Sequence, residues 1–157
     1  MKNNIKNLSE LKQYIKSDFF RKSIDTTTKG IVFLLRDPSL RYLLYFRLSK
    51  YLFGKNTILF YLIKYLHAKL GKKYGCKIPI ETKVGYGLYL NYFNGIYVNG
   101  NTELGDNINI SHQVTIGKHL TTGKSPKIGN KVYIGPGAKI IGDISIESNV
   151  GIGANAV

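Results

Sequence analysis

The stretch IGNKVYIGPGAKIIGDISIESNVGIGANAV, residues 128–157, decides the fold. Ile128, Ile134, Ile140, Ile146 and Ile152 stand six apart, and Val132, Ala138, Ile144, Val150 and Ala156 each follow four residues later. The register extends back through Ile116, Ile110, Leu104 and Val98, with Val114, Ile108 and Thr102 at the companion position. Glycine follows the aliphatic residue at Gly105, Gly117, Gly129, Gly135 and Gly153. A period of six is neither the 3.6 of a helix nor the 2 of a plain strand. It is the hexapeptide period of a β-helix, in which a large and a smaller residue point inward and a tight turn follows. Three hexapeptides make a triangular coil of about 18 residues, and each rung stacks on the last as in any solenoid.

The ladder breaks twice. Val84, Leu88 and Leu90 begin it, but the step from Leu90 to Val98 is eight, so two residues bulge between Asn91 and Tyr97. From Ile116 to Ile128 the step is twelve, with Thr122 where an aliphatic belongs. Residues 118–127 therefore read as a loop thrown out of the coil. Irregularities in a repetitive scaffold are where function concentrates.

Ahead of the ladder the spacing is helical. Residues 1–7 are polar and read as frayed. Asn7 or Ser9 caps a first helix running to about Lys22, with Leu11, Tyr14, Ile15, Phe19 and Phe20 on one face. Ser23 to Gly30 reads as a linker and Ile31 to Leu35 as a short buried run. Asp37-Pro38 opens a second helix to about Phe53, striped by Leu40, Leu43, Leu44, Leu48, Tyr51 and Leu52, with Arg41, Arg47 and Lys50 off the stripe. Asn56-Thr57 caps a third, to about Leu70, with Gly71 as its stop. This third helix is apolar around most of its circumference, which calls for burial against other helices, another subunit or a membrane face. The division is a helical region over 1–77 and a β-helix over 78–157.

Lys and Arg outnumber Asp and Glu by 23 to 9, a formal charge of +14. Such a field attracts polyanions, acidic lipid and phosphorylated small molecules. No nucleic-acid recognition motif accompanies it, so nucleic acid is not the expected partner. A basic, aromatic amphipathic segment can lie on acidic lipid. The N-terminus lacks the apolar core of a signal peptide. Ile58 to Ile63, the longest apolar run, is too short to span a bilayer. The expected location is the cytoplasm, with peripheral contact at the inner face of the membrane. Cys76 is the single cysteine, which rules out an intrachain disulfide and reads as a small buried hydrophobe. Neither it nor the histidines have metal-site spacing, and His67, on the apolar third helix, reads as structural.

Gly85-Tyr86-Gly87-Leu88-Tyr89-Leu90, Gly95-Ile96-Tyr97-Val98, Ile110-Ser111-His112-Gln113-Val114-Thr115-Ile116-Gly117, Pro126-Lys127-Ile128-Gly129 and Ile134-Gly135-Pro136-Gly137-Ala138 resemble the serine acetyltransferase family. The resemblance is close over residues 78–157. The helical front end, with Arg36-Asp37-Pro38 and Ile78-Pro79-Ile80-Glu81-Thr82, looks more like relatives encoded with surface-polysaccharide biosynthesis. The resemblance implies a left-handed parallel β-helix, a homotrimer, and acetyl-CoA as co-substrate in a groove between subunits. By matching positions that groove is lined by Gly117, Lys118, Pro136 and Ala154. It also implies a histidine base that deprotonates an acceptor hydroxyl as it attacks the thioester, without a metal. An alcohol needs such a base, and histidine is the usual one near neutral pH. The family continues into a further turn and a closing segment, so the β-helix is read as lacking its C-terminal cap.

Two positions depart from the family. Its Asp-His pair falls on Asn91-Tyr92, and its second histidine falls on Ser125. His112 lies 20 residues after Tyr92, one coil plus the bulge. It is therefore expected about one rung, some 4.8 Å, from the family histidine's place. The candidate catalytic set is His112, with Tyr92 or Asn91 orienting it, and His119 reaching in from the loop; an exposed turn histidine without a role is the alternative for His112. The leading expectation is an acetyl-CoA-dependent O-acetyltransferase acting on a sugar or polysaccharide-precursor hydroxyl. Serine O-acetylation and a catalytically silent trimeric scaffold are the alternatives.

Overall fold

The structure is a computed structural model that describes residues 5–22, 36–55 and 57–157. The expected linker at Ser23–Gly30, the run at Ile31–Leu35 and the cap residue Asn56 lie outside the described residues, as do residues 1–4. Among the described residues three helices, α1 (Leu8–Phe20), α2 (Pro38–Leu52) and α3 (Thr57–Lys73), precede the strands. These are β1 (Lys83–Val84), β2 (Tyr89–Leu90), β3 (Tyr97–Val98), β4 (Glu103–Leu104), β5 (Asn109–Ile110), β6 (Thr115–Gly117), β7 (Lys127–Ile128), β8 (Tyr133–Ile134), β9 (Lys139–Ile141), β10 (Ser145–Ile146) and β11 (Gly151–Ile152). They stack in parallel into three sheets, β1-β4-β7-β10, β2-β5-β8-β11 and β3-β6-β9, the faces of a β-helix.

Register explains the sequence irregularities. Leu90 pairs with Ile110, Ile110 with Ile134 and Ile134 with Ile152, so successive coils are 20, 24 and 18 residues long. The first carries the two-residue bulge and the second the extruded loop. The inward column on this face, with Val98, Ile116 and Ile140 on the next, is almost wholly buried except at Ile152 on the last coil. Ile144, expected inward, is exposed because no described rung stacks beyond it.

The corners are held by backbone. Asn107, Lys131 and Asn149 share one corner with Gly87, Gln113 and Asn155 share another with Gly95 and Gly137, and all have positive φ. Asn tolerates that region better than most residues. Each of the six later members donates its N–H to a carbonyl of the preceding coil, as in Lys131 N–H to Asp106 O at 2.7 Å. Gly105 is required by rung spacing, since a Cβ there would lie 2.8 Å from the carbonyl carbon of Gly129.

The helices begin as the caps predict. Asn7 accepts the Glu10 N–H, and Asp37 accepts from Ser39 and Leu40, with Pro38 in the first turn. Three expectations change. Phe20 is exposed. Arg47 and Lys50 are buried, because α2 crosses the first coil of the β-helix and its cations take the carbonyls there. Arg47 makes a bidentate pair with Asp18 at 2.9 and 3.1 Å and donates to Val84 O and Gly85 O. Asp18 also accepts the Leu88 N–H at 2.9 Å. Lys50 donates to Ile80 O and Thr82 O at 3.0 and 2.7 Å. Gly71 lies inside α3, whose end is marked instead by Gly75 at φ +63. The absence of a Cβ at Gly71 lets the Cys76 carbonyl pack against the helix. Within the single chain α3 buries only Phe60, His67 and Gly71, while Ile58, Tyr61, Leu62 and Tyr65 are exposed. Among the described residues no helix is long and apolar enough to cross a membrane.

Burial of Arg47, 1% exposed, and Asp18, 2% exposed, makes the pair costly to break from one side. Arg47→Ala is expected to lower unfolding free energy by about 3–5 kcal/mol in urea titration. His67 lies against the Tyr42 ring at a centroid distance of 4.1 Å, and burial lowers its pKa to about 4. The unfolded chain therefore binds the extra proton first as pH falls. The stability from keeping His67 neutral is fully present above about 6.5 and is lost between there and about 4, up to roughly 3 kcal/mol. The decline in melting temperature over this range is expected to flatten in His67→Phe.

Candidate active site

The bulge sits between β2 and β3, and the first coil delivers its residues directly onto the second. The Leu90–Ile110 register carries Tyr92 onto His112, and their rings meet edge to face with centroids 5.7 Å apart. Tyr92 holds a left-handed φ of 49°, rare for an aromatic residue, and its side chain is 73% exposed. His112 is half-buried. Its Nδ1 is buried and has no hydrogen-bond partner among the described residues. No aspartate or glutamate occurs between Asn91 and Tyr97, so the carboxylate that commonly orients a catalytic imidazole is not supplied by the bulge.

His112 begins a column. Its carbonyl accepts the Gly137 N–H at 3.0 Å, and the Pro136 carbonyl accepts the Asn155 N–H at 2.8 Å. Tyr92, His112, Pro136 and Ala154 therefore succeed one another along one corner of the β-helix. Gly117 and Lys118 stand across the β3-β6-β9 face, at the corner from which the loop departs; Gly117 pairs with Ile141. One chain does not bring the four expected cofactor-lining residues to a single patch.

The loop is compact. His119 N–H donates to Lys124 O at 2.7 Å and Gly123 N–H returns to His119 O at 2.9 Å. Lys124 pairs with Asp143 at 2.6 Å, tying the loop to a later coil. His119 Nδ1 accepts from the Thr121 and Thr122 N–H groups, both at 3.3 Å. That lone pair is engaged by the loop itself, and in the neutral ring the remaining nitrogen then carries the proton. A ring in that state has no free acceptor with which to take a proton from an alcohol.

Ser125 is buried and donates to Asn99 Oδ1 at 3.0 Å, a pin across the base of the loop. Asn99 has no signal in the sequence, since its role exists only through the register between coils. Asn91 is half-buried and its N–H belongs to the rung ladder, donating to Ile110 O. Lys139 turns back onto the neighbouring coil and donates to Gln113 O at 2.7 Å.

Residues 125–157 match the bacterial transferase hexapeptide (six repeats) family. A serine acetyltransferase of Helicobacter pylori (strain ATCC 700392 / 26695) is 37% identical over 127 residues, covering 79% of this chain and 72% of that protein. Among solved structures, soybean serine acetyltransferase apoenzyme superposes with a TM-score of 0.77 at 26% identity, over 94% of this chain and 61% of that one. The Neisseria gonorrhoeae serine acetyltransferase in complex with serine gives 0.76 at 27%, over 94% and 61%. The chain thus spans about three fifths of the length of these two structures. All three are named as serine acetyltransferases, and none of the three is named for a sugar acceptor. With the β-helix, the bulge and the extruded loop all in place, the chain belongs to the serine acetyltransferase family of hexapeptide-repeat acyltransferases, which draw their acetyl group from acetyl-CoA.

Proposed function

We propose that the chain is an acetyl-CoA-dependent O-acetyltransferase whose acceptor is the hydroxyl of L-serine, with His112 as general base. The observation that carries this is His112 itself. Its ring stands perpendicular to that of Tyr92 beside the bulged coil, with a buried Nδ1 that has no partner among the described residues. A buried imidazole nitrogen without a partner is disfavoured unless a ligand or a neighbouring subunit completes it.

In this reading the acceptor hydroxyl oxygen attacks the thioester carbonyl carbon while a ring nitrogen of His112 takes the hydroxyl proton. The tetrahedral oxyanion collapses, the carbon–sulfur bond breaks, and the proton passes from the imidazolium to the departing thiolate of CoA. The products are the acetyl ester and free CoA. Backbone N–H groups of the corner are the available donors to the oxyanion. Tyr92 positions the ring through its edge-to-face contact, and no residue of the chain becomes acetylated.

The separation of Gly117 and Lys118 from Pro136 and Ala154 supports a homotrimer. In it the acetyl-CoA groove forms where one subunit's corner meets its neighbour's, so each subunit supplies half of the lining. Tyr97, Tyr133 and Ile141 are exposed on the outer faces, apolar surface suited to burial between subunits.

A sugar hydroxyl is the second reading. The bulge offers amides and an exposed aromatic ring where a free amino acid's ammonium would call for a carboxylate, and rings of this kind stack on sugars. Thiol release from acetyl-CoA with L-serine and with a panel of sugars decides between them, and serine is expected to turn over. His112→Ala is expected to lower kcat/KM by about 10²–10⁴-fold, the usual worth of a positioned base. Equal turnover by wild type and His112→Ala sinks the assignment, and His119→Ala is expected to stay within about threefold. A chain that neither turns over nor binds acetyl-CoA, while sedimenting as a trimer, supports the scaffold alternative instead.

A further inference from the structure

Away from the β-helix corners, a cavity of about 500 Å³ opens between the C-terminal half of α3 and the chain from Gly75 to Glu81. Its walls are apolar, with Tyr42, Ala68 and Ile78 among them. His67, 6% exposed, lines it, and its Nε2 is buried with no partner among the described residues. Burial keeps this ring neutral at ordinary pH, so it offers a hydrogen bond rather than a charge. Lys64, Lys72 and Lys77 also line the cavity, against the single carboxylate of Glu81. None of the three lysines joins an ion pair among the described residues. Lys64 and Lys77 instead hold their ammonium groups 5.5 and 5.6 Å from the Phe60 and Tyr97 ring centres.

The cavity thus combines an apolar interior, a close but tilted Tyr42–His67 ring pair on one wall, a buried nitrogen unpartnered among the described residues and an excess of positive charge. Small-molecule sites have this composition, mostly apolar with a few polar groups that fix orientation. We propose that the cavity binds an aromatic organic acid: its ring against Tyr42 and His67, a polar substituent on His67 Nε2, and its anionic group among Lys64, Lys72 and Lys77. The site lies outside the His112 corner and does not depend on the acetyl-transfer reading. An anion of this class would regulate or be carried by the protein without entering its chemistry.

Fluorescence titration of the full chain with 1-anilinonaphthalene-8-sulfonate, an aromatic anion bearing an N–H, tests this. One saturable site is expected, displaced by 1-hydroxy-2-naphthoate. The combined Lys64→Gln, Lys72→Gln, Lys77→Gln variant is expected to weaken binding at least tenfold. Ala68→Phe, on the exposed side of α3, is expected to abolish it by filling the cavity, and His67→Phe to weaken it while leaving the packing in place. Wild-type binding in both the lysine variant and Ala68→Phe, or fluorescence that never saturates, overturns the proposal. Such a result would assign the dye to the exposed apolar face of α3. Thiol release is read separately, so failure of the cavity proposal and failure of the catalytic one remain distinguishable.

Discussion

Each strand of the β-helix is two or three residues long and is held only by the rungs before and after it, so every outward residue takes its place from the inward aliphatic column. Such short strands have no stability of their own, and rungs stabilise one another by nearest-neighbour stacking. The column from Leu90 through Ile110 and Ile134 to Ile152 fixes register even where the coil length changes from 20 to 24 to 18 residues. Because that register is kept across the bulge, two extra residues do not displace the coil. They are absorbed between Asn91 and Tyr97, where Phe93 and Ile96 stay buried in the core, and they bring Tyr92 against His112. The catalytic proposal is thus a consequence of packing: a solenoid that absorbs its insertions at the corners builds a site there.

A solenoid also needs its first coil closed, and here closure is ionic. The carbonyls of Ile80, Thr82, Val84 and Gly85 are taken by Lys50 and Arg47 from α2, and Asp18 from α1 neutralises Arg47 while accepting the Leu88 N–H. Burial first and the nearby Arg47 second lower the Lys50 pKa to about 8, a cost that two carbonyl acceptors offset. The helical front end is therefore joined to the β-helix by directional polar contacts as well as by apolar packing, which fixes one orientation of the helices on the coil.

The fold was legible because a six-residue beat has one structural meaning, and both of its breaks fell where the coils lengthen. The one-rung offset between Tyr92 and His112 was also legible, since it needs only the coil length and the bulge. Charge misled where burial was involved. Arg47 and Lys50 occupy the same face of α2 as Leu43, but charged residues read as solvent-facing until the carbonyls they satisfy are known. Gly71 had the look of a helix stop, yet it is a point of close approach for the Cys76 carbonyl, and spacing cannot distinguish the two. His119 and Ser125 were ambiguous for a related reason. Their lone pairs and hydroxyls are committed to Thr121, Thr122 and Asn99, contacts made by a loop whose path the repeat does not dictate.

At the candidate site Asn91 and Tyr92 open the bulge, and His112 lies one rung further along the same corner, its Nδ1 without a partner among the described residues. A crystal structure of the assembled protein with CoA and L-serine bound tests the account most directly. The account predicts the serine hydroxyl oxygen within hydrogen-bond reach of a His112 ring nitrogen, about 2.6–3.2 Å, with the CoA sulfur beside it. A serine hydroxyl bound elsewhere, with His112 facing only solvent, would contradict it.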